Sequence, residues 1–208
     1  MEMSNRFDEN SETLSKYLSL MTEIKKREEV IIGLYDGTCN AKYKVVNYEV
    51  MFFQLRKILE IIAKSPLLIN EKEYRKVSKN PEYDWRIRKI MSTLEEINPD
   101  FYPQPISVLK RTSSPDEFIS VSSGYLTKDD LCDAYDHCNN FLHAKNPLKE
   151  DREIKVDVEW NYIVSTIKKI HNLLNTHLCK PSVTGSFYYI GMEDGKGAVF
   201  GNIFSQEK

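Results

Sequence analysis

Asn139 and His143 stand one helical turn apart near the end of Gly124–Leu148, GYLTKDDLCDAYDHCNNFLHAKNPL. On a helix such a pair can reach the same ligand or water. An imidazole whose ordinary pKa is near neutrality can give or take a proton there. The neighbouring amide can hold a phosphate or the imidazole itself. Arg56 lies in a separate, strongly apolar stretch. If that stretch packs against the first, its guanidinium can face His143 and supply a fixed cation. The chemistry of the three together would be acid–base catalysis beside a held anion. His143 would be the general acid or base, Asn139 the positioning group and Arg56 the charge that holds the anion. A structural reading uses the same residues. Asn139 and His143 then tie their helix to its neighbours by buried hydrogen bonds. Arg56 then pairs with Glu60 one turn on, an ion pair worth about 0.3–0.5 kcal/mol.

A second cluster is basic. Arg75, Lys76, Lys79, Arg86, Arg88 and Lys89 are interleaved with Tyr74, Tyr83 and Trp85. Cations that track a phosphate backbone, beside rings that stack bases, make a surface for single-stranded RNA. The binding residues would be Arg75, Arg86, Arg88, Lys89 and Trp85. Glu73, Glu82 and Asp84 dilute the charge, so a solvated helix face beside a core tryptophan fits the same pattern.

The helix that carries Asn139 and His143 is well marked. Thr127 is a good N-cap, and Asp130 stands where a capping-box acid reaches back. Leu126 and Leu131 take the two hydrophobic-staple positions. Leu131, Tyr135, Cys138 and Leu142 repeat at helical spacing and predict a core-facing stripe. Asn146 precedes Pro147 and is biased away from helical angles, so the helix is predicted to end near Lys145.

A polar residue followed by three residues and His, late in a bundle helix, resembles the HEPN superfamily of helical domains. That family's motif is Arg, a polar residue, three variable residues, then His. The matching run is Cys138-Asn139-Asn140-Phe141-Leu142-His143. Asn139 and His143 match, and Cys138 stands where the family's RNases carry Arg. The resemblance implies a HEPN-like bundle more than it implies ribonuclease activity. For the RNases of the family it also implies a composite site across a dimer. A bacterial toxin–antitoxin or phage-defence setting is implied by the resemblance alone.

At 208 residues, 41% hydrophobic, the chain has enough apolar material for one proper core. A formal net charge of −2 gives no global basic field to draw in nucleic acid. Cys39, Cys132, Cys138 and Cys179 show no CxxC spacing, and His171 and His177 are not one turn apart. No metal site and no cofactor is expected. Reduced thiols and a polar, acidic start without an apolar core point to a cytoplasmic protein. No apolar run approaches the ~20 residues that a membrane span needs.

The expected plan is one mainly α domain over 1–208. Residues 1–11 are read as frayed, 12–180 as a helical bundle with an inserted hairpin near 106–121, and 182–204 as a β-hairpin appendage. Helices are predicted from Ser11 or Thr13 to about Ile32, over Val45–Lys64, from Pro81 to about Ile97, and over Asp157–Leu178. Gly33–Lys44 is predicted to be a loop. Phe101 and Tyr102, in the proline-rich NPDFYPQP, are expected to plug the core. The C-terminal hairpin must lean on the helices, pair with the 106–121 segment, or extend a sheet across a dimer. The function these features favour is partner binding or regulation by a HEPN-like bundle, with a protein partner or a homodimer. The alternatives are a metal-independent RNA endonuclease and a protein that binds RNA without cutting it.

Overall fold

The chain runs α1 (Glu2–Asp36), α2 (Lys44–Lys64), α3 (Pro66–Ile69), α4 (Glu71–Val77), a 3-10 turn (Pro81–Tyr83) and α5 (Ile87–Ile97). Then come β1 (Gln104–Leu109), β2 (Glu117–Ser120), α6 (Lys128–Leu142), α7 (Val156–Leu174), β3 (Thr176–Cys179), β4 (Ser186–Gly191) and β5 (Phe200–Ser205). This computed structural model describes residues 2–109, 117–144, 148, 156–182 and 185–205. The expected turn at Ser113–Asp116 and most of the charged connection 148–156 lie outside them.

Helix α1 is longer than its apolar stripe predicts. It starts at Glu2, so most of the stretch expected to fray is helical. No Gly or Pro interrupts it before Gly33, and it ends only where Gly37 takes a φ of +86°. Asp36 accepts a hydrogen bond from the Thr38 N–H at 2.9 Å and turns the chain toward α2. The apolar face predicted for α2 is the centre of the core. Met51, Phe52, Leu55, Ile58, Leu59 and Ile62 are all buried.

Two predicted helices are interrupted or shortened. The stretch after Pro81 breaks at Asp84–Arg86, because Asp84 is pinned as a corner. Its carboxylate accepts from Tyr74 Oη at 2.9 Å and from Ser78 Oγ at 2.7 Å. Helix α7 stops at Leu174 instead of Leu178. Thr-His-Leu-Cys, 176–179, alternates half-buried and buried residues as a strand does.

That short strand joins the two predicted hairpins. The sheet is antiparallel, in the order β2-β1-β3-β4-β5. Of the three options for the C-terminal hairpin, it reaches the 106–121 segment through β3. Its other face leans on α1, where Gly201 lies against Leu14 and Leu18. The register puts His177 beside Pro105 and Ile190, and Cys179 beside Tyr188, on the face toward the helices. Phe101 and Tyr102 do enter the core, and Tyr102 Oη donates to the Leu126 carbonyl at 3.0 Å.

Helix α6 begins as predicted. Thr127 Oγ1 accepts from the Asp130 N–H at 3.1 Å, and Asp130 returns a bond to the Thr127 N–H at 3.1 Å. The other oxygen of Asp130 takes the Lys169 ammonium of α7 at 2.7 Å. Thr127→Ala is therefore expected to cost about 1 kcal/mol. In thermal melts that is a drop of roughly 2–4 °C for a chain of this size. An unchanged melting temperature would mean that the cap adds nothing to the packing of α6. Among the described residues, no helix is long and apolar enough to cross a membrane.

Candidate functional site

Helices α2 and α6 lie antiparallel. Phe52 stacks on Phe141 with centroids 4.1 Å apart, while Arg56, one turn further along α2, meets Tyr135 back along α6. Arg56 donates to Tyr135 Oη at 3.2 Å and to Glu60 Oε1 at 3.2 Å, and its guanidinium stands 5.2 Å from the Tyr135 ring centroid. Burial works against its charge, but Tyr135 and Glu60 outweigh that and hold its pKa above the ordinary value. Lys57 also bonds Glu60, at 2.9 Å.

His143 is not in this knot. Helix α6 ends at Leu142, and His143 is its exposed C-cap. The predicted end near Lys145 is thus too late, and 145–147 lie outside the described residues. The φ of His143 is −71°, still helical, so its side chain leaves the helix one turn above Asn139. Only its ψ of 133° breaks the coil. Asn139 is half-buried, and its carbonyl accepts the His143 N–H at 3.1 Å. Asn139 and His143 thus follow one turn apart, but the bond between them is backbone to backbone, and His143 is exposed, not set in a buried seam. The predicted meeting of Arg56 with His143 does not occur. Tyr135 and His143 are two turns apart, about 12 Å along the axis. The guanidinium is spent on Tyr135 and Glu60 because antiparallel packing sets Arg56 against the middle of α6.

Cys138, in the place of the motif's Arg, is fully buried. Burial pushes its thiol up to about 12, against the pull of Arg56. It is a packing residue.

The basic cluster is mostly neutralised. Arg75 pairs with Glu71 at 2.8 Å and Glu82 at 2.5 Å, and Lys76 with Glu73 at 2.7 Å. Arg88 pairs with Asp136 at 2.5 Å and Lys89 with Asp84 at 3.3 Å. Tyr74, expected as a stacking ring, is buried. Trp85 is no core tryptophan: it is 66% exposed, with Arg86 over its ring at 5.2 Å.

Two histidine sites escaped the reading of the sequence. His137 stacks on Tyr162 of α7 at 3.9 Å and lies 3.2 Å from the Glu159 carboxylate. Its only signal was its place one turn before Phe141. His177 falls in the last turn of the helix predicted over Asp157–Leu178. It is instead fully buried in β3. Its Nδ1–H faces the Leu174 carbonyl at 2.8 Å, which leaves Nε2 to accept from Tyr17 Oη at 3.1 Å. Cys179 donates to the same Tyr17 oxygen at 3.3 Å. This chain of bonds needs a neutral imidazole, and burial pushes the His177 pKa down to about 4. His171 lies at the surface and bonds Glu28 at 2.9 Å, which raises its pKa.

The helix tips nearest His143 carry exposed apolar residues. They are the end of α1, the start of α2 and the start of α7. Ile32, Tyr35, Val45 and Val158 are all exposed there, while Phe53 and Val164 are exposed midway along α2 and α7. Tyr35 stacks flat on Trp160, with centroids 3.5 Å apart, and so joins α1 to α7. In comparisons with known proteins, no family model, no curated protein and no solved structure matches the chain.

Proposed function

We propose that the chain is a HEPN-like bundle that works by binding a protein partner through its helical end, as a regulatory component. The observation that carries this reading is the apolar tip itself. Tyr35 is 54% exposed and Val158 58% exposed. Ile32 and Val45 are exposed at the same meeting of α1, α2 and α7, in a domain that is 29% charged. Exposed apolar side chains gathered at one end of a domain mark an interaction surface. The ribonuclease reading has less behind it, because Arg56 is committed to Tyr135 and Glu60 and Cys138 offers no cation. A toxin–antitoxin or phage-defence setting follows only from the family resemblance. RNA binding at Arg86 and Trp85 is the second reading, and the exposed tryptophan under a guanidinium favours it.

Tagged wild type and a Tyr35→Asp, Val158→Asp double variant, recovered from source cells, test the proposal. The wild type is expected to bring down a stoichiometric protein that the variant loses. Equal recovery from both would sink the reading. RNA cleavage in chelator by the wild type, abolished in His143→Ala, would replace it with the endonuclease.

A further inference from the structure

β2 and β5 are the two edges of the sheet. Edge strands are normally guarded by charge, Pro or a bulge, because their free N–H and C=O groups template pairing. β2 is short and carries Glu117. β5, FGNIFS, has no charge and no Pro. It pairs with β4 without a bulge, from Ser186↔Ser205 to Gly191↔Phe200. Among the described residues no strand takes its far side.

The face that β5 shares with the other strands, away from the helices, is equally neutral. The register places Ile106, Phe118, Leu178, Phe187, Phe200 and Phe204 there, with uncharged residues between them. None belongs to the main core cluster. Phe118, from the far edge hairpin, comes within 6.2 Å of Phe204 and 6.4 Å of Phe187, so the sheet curls over this face. Phe204 still keeps 40% of its surface open.

Neutrality selects the occupant. A nucleic acid would need cations, and an acidic or basic peptide would need counter-charges; neither β5 nor this face has any. A strand that pairs with itself about a two-fold axis has the opposite requirement. Any charge on it would lie near its own copy, and like charges across a strand pair are destabilising. Centred on Asn202, an antiparallel pair would set Phe204 of each copy beside Phe200 of the other, a favourable cross-strand contact. We infer that the protein forms a two-fold homodimer in which β5 pairs antiparallel with β5 of a second copy, joining the two sheets edge to edge. This surface is at the sheet, remote from the helical tip, so the two readings fail separately.

Sedimentation equilibrium on the full chain tests it. At about 50 µM the wild type is expected to be dimeric. Asn202→Lys brings like charges together at the two-fold, and Phe204→Lys sets an ammonium against Phe200 of the other copy; each is expected to raise the dissociation constant at least about tenfold. Their helical circular dichroism should be unchanged. Ser120→Lys, on the other edge strand, should leave the dimer intact. If Phe204→Lys fails to fold, Asn202→Lys decides alone, since that side chain is exposed. A monomer at about 200 µM overturns the inference. So does a dimer that survives Asn202→Lys, or one lost only on Tyr35→Asp. Binding of poly-uridine that Phe204→Ala abolishes would give the face to nucleic acid instead.

Discussion

Acidification from pH 6.5 to 4 is expected to remove roughly 3 kcal/mol of stability through His177 alone. Its folded pKa, about 4, is below the ordinary 6.5 because burial disfavours the charged ring. The unfolded chain therefore takes up a proton that the folded chain refuses, and stability falls as pH drops through that window. It is fully present above 6.5 and fully lost below 4. His171 does not mask this. Its bond to Glu28 raises its pKa, so its contribution is complete below 6.5 and fades only as pH rises. The lowered carboxylates Glu60, Asp84 and Asp130 begin to lose their contributions only near and below their ordinary values of 4.5 and 3.8. Denaturant melts at stepped pH on wild type and His177→Leu separate the effect. The variant starts less stable, having lost the bond from Tyr17, but its stability should vary little between pH 6.5 and 4.5. Parallel curves for the two proteins would show that His177 is not held neutral.

The second large effect is at Phe52. This ring is fully buried and touches three others: Phe141 at 4.1 Å, His137 at 5.6 Å and Tyr162 at 6.4 Å. Phe52→Ala leaves a cavity where α2, α6 and α7 converge and should cost about 3–5 kcal/mol. The melting temperature should fall by about 10 °C or more. Phe52→Leu, which keeps most of the volume, should cost much less. If both variants melt alike, the three-helix junction is not built on this ring. Because His137 rests on the same ring and on Tyr162, its NMR resonances should move in Phe52→Ala while those of exposed His143 stay in place.

What could be read from the sequence was whatever depends on neighbours along the chain. The α2 stripe, the Thr127–Asp130 cap and the two hairpins are local patterns, and they are where the residues said. Arg56–Glu60 was legible for the same reason. What depends on contacts distant in sequence was not. Nothing near His177 announces Tyr17, which is 160 residues away. Helical spacing ran straight through Asn175 because the strand beyond it is four residues long and recognisable only beside β4. Arg56 was placed opposite His143 on the right pair of helices but at the wrong level, since spacing gives a face and not a register between helices. Trp85 was weighed as core because large rings usually are, and the corner that expels it is made by Asp84.

Helix α1 is 35 residues long, about 52 Å end to end. Its first half lies on the sheet, through Leu14, Leu18 and the Tyr17 bond to β3; its last turns clasp α7 through Glu28 and Tyr35. One rod thus splints both halves of the molecule, and neither can loosen without disturbing it. Backbone amides of β3 and of α2 should then exchange with deuterium at a common opening free energy, as members of one cooperative unit.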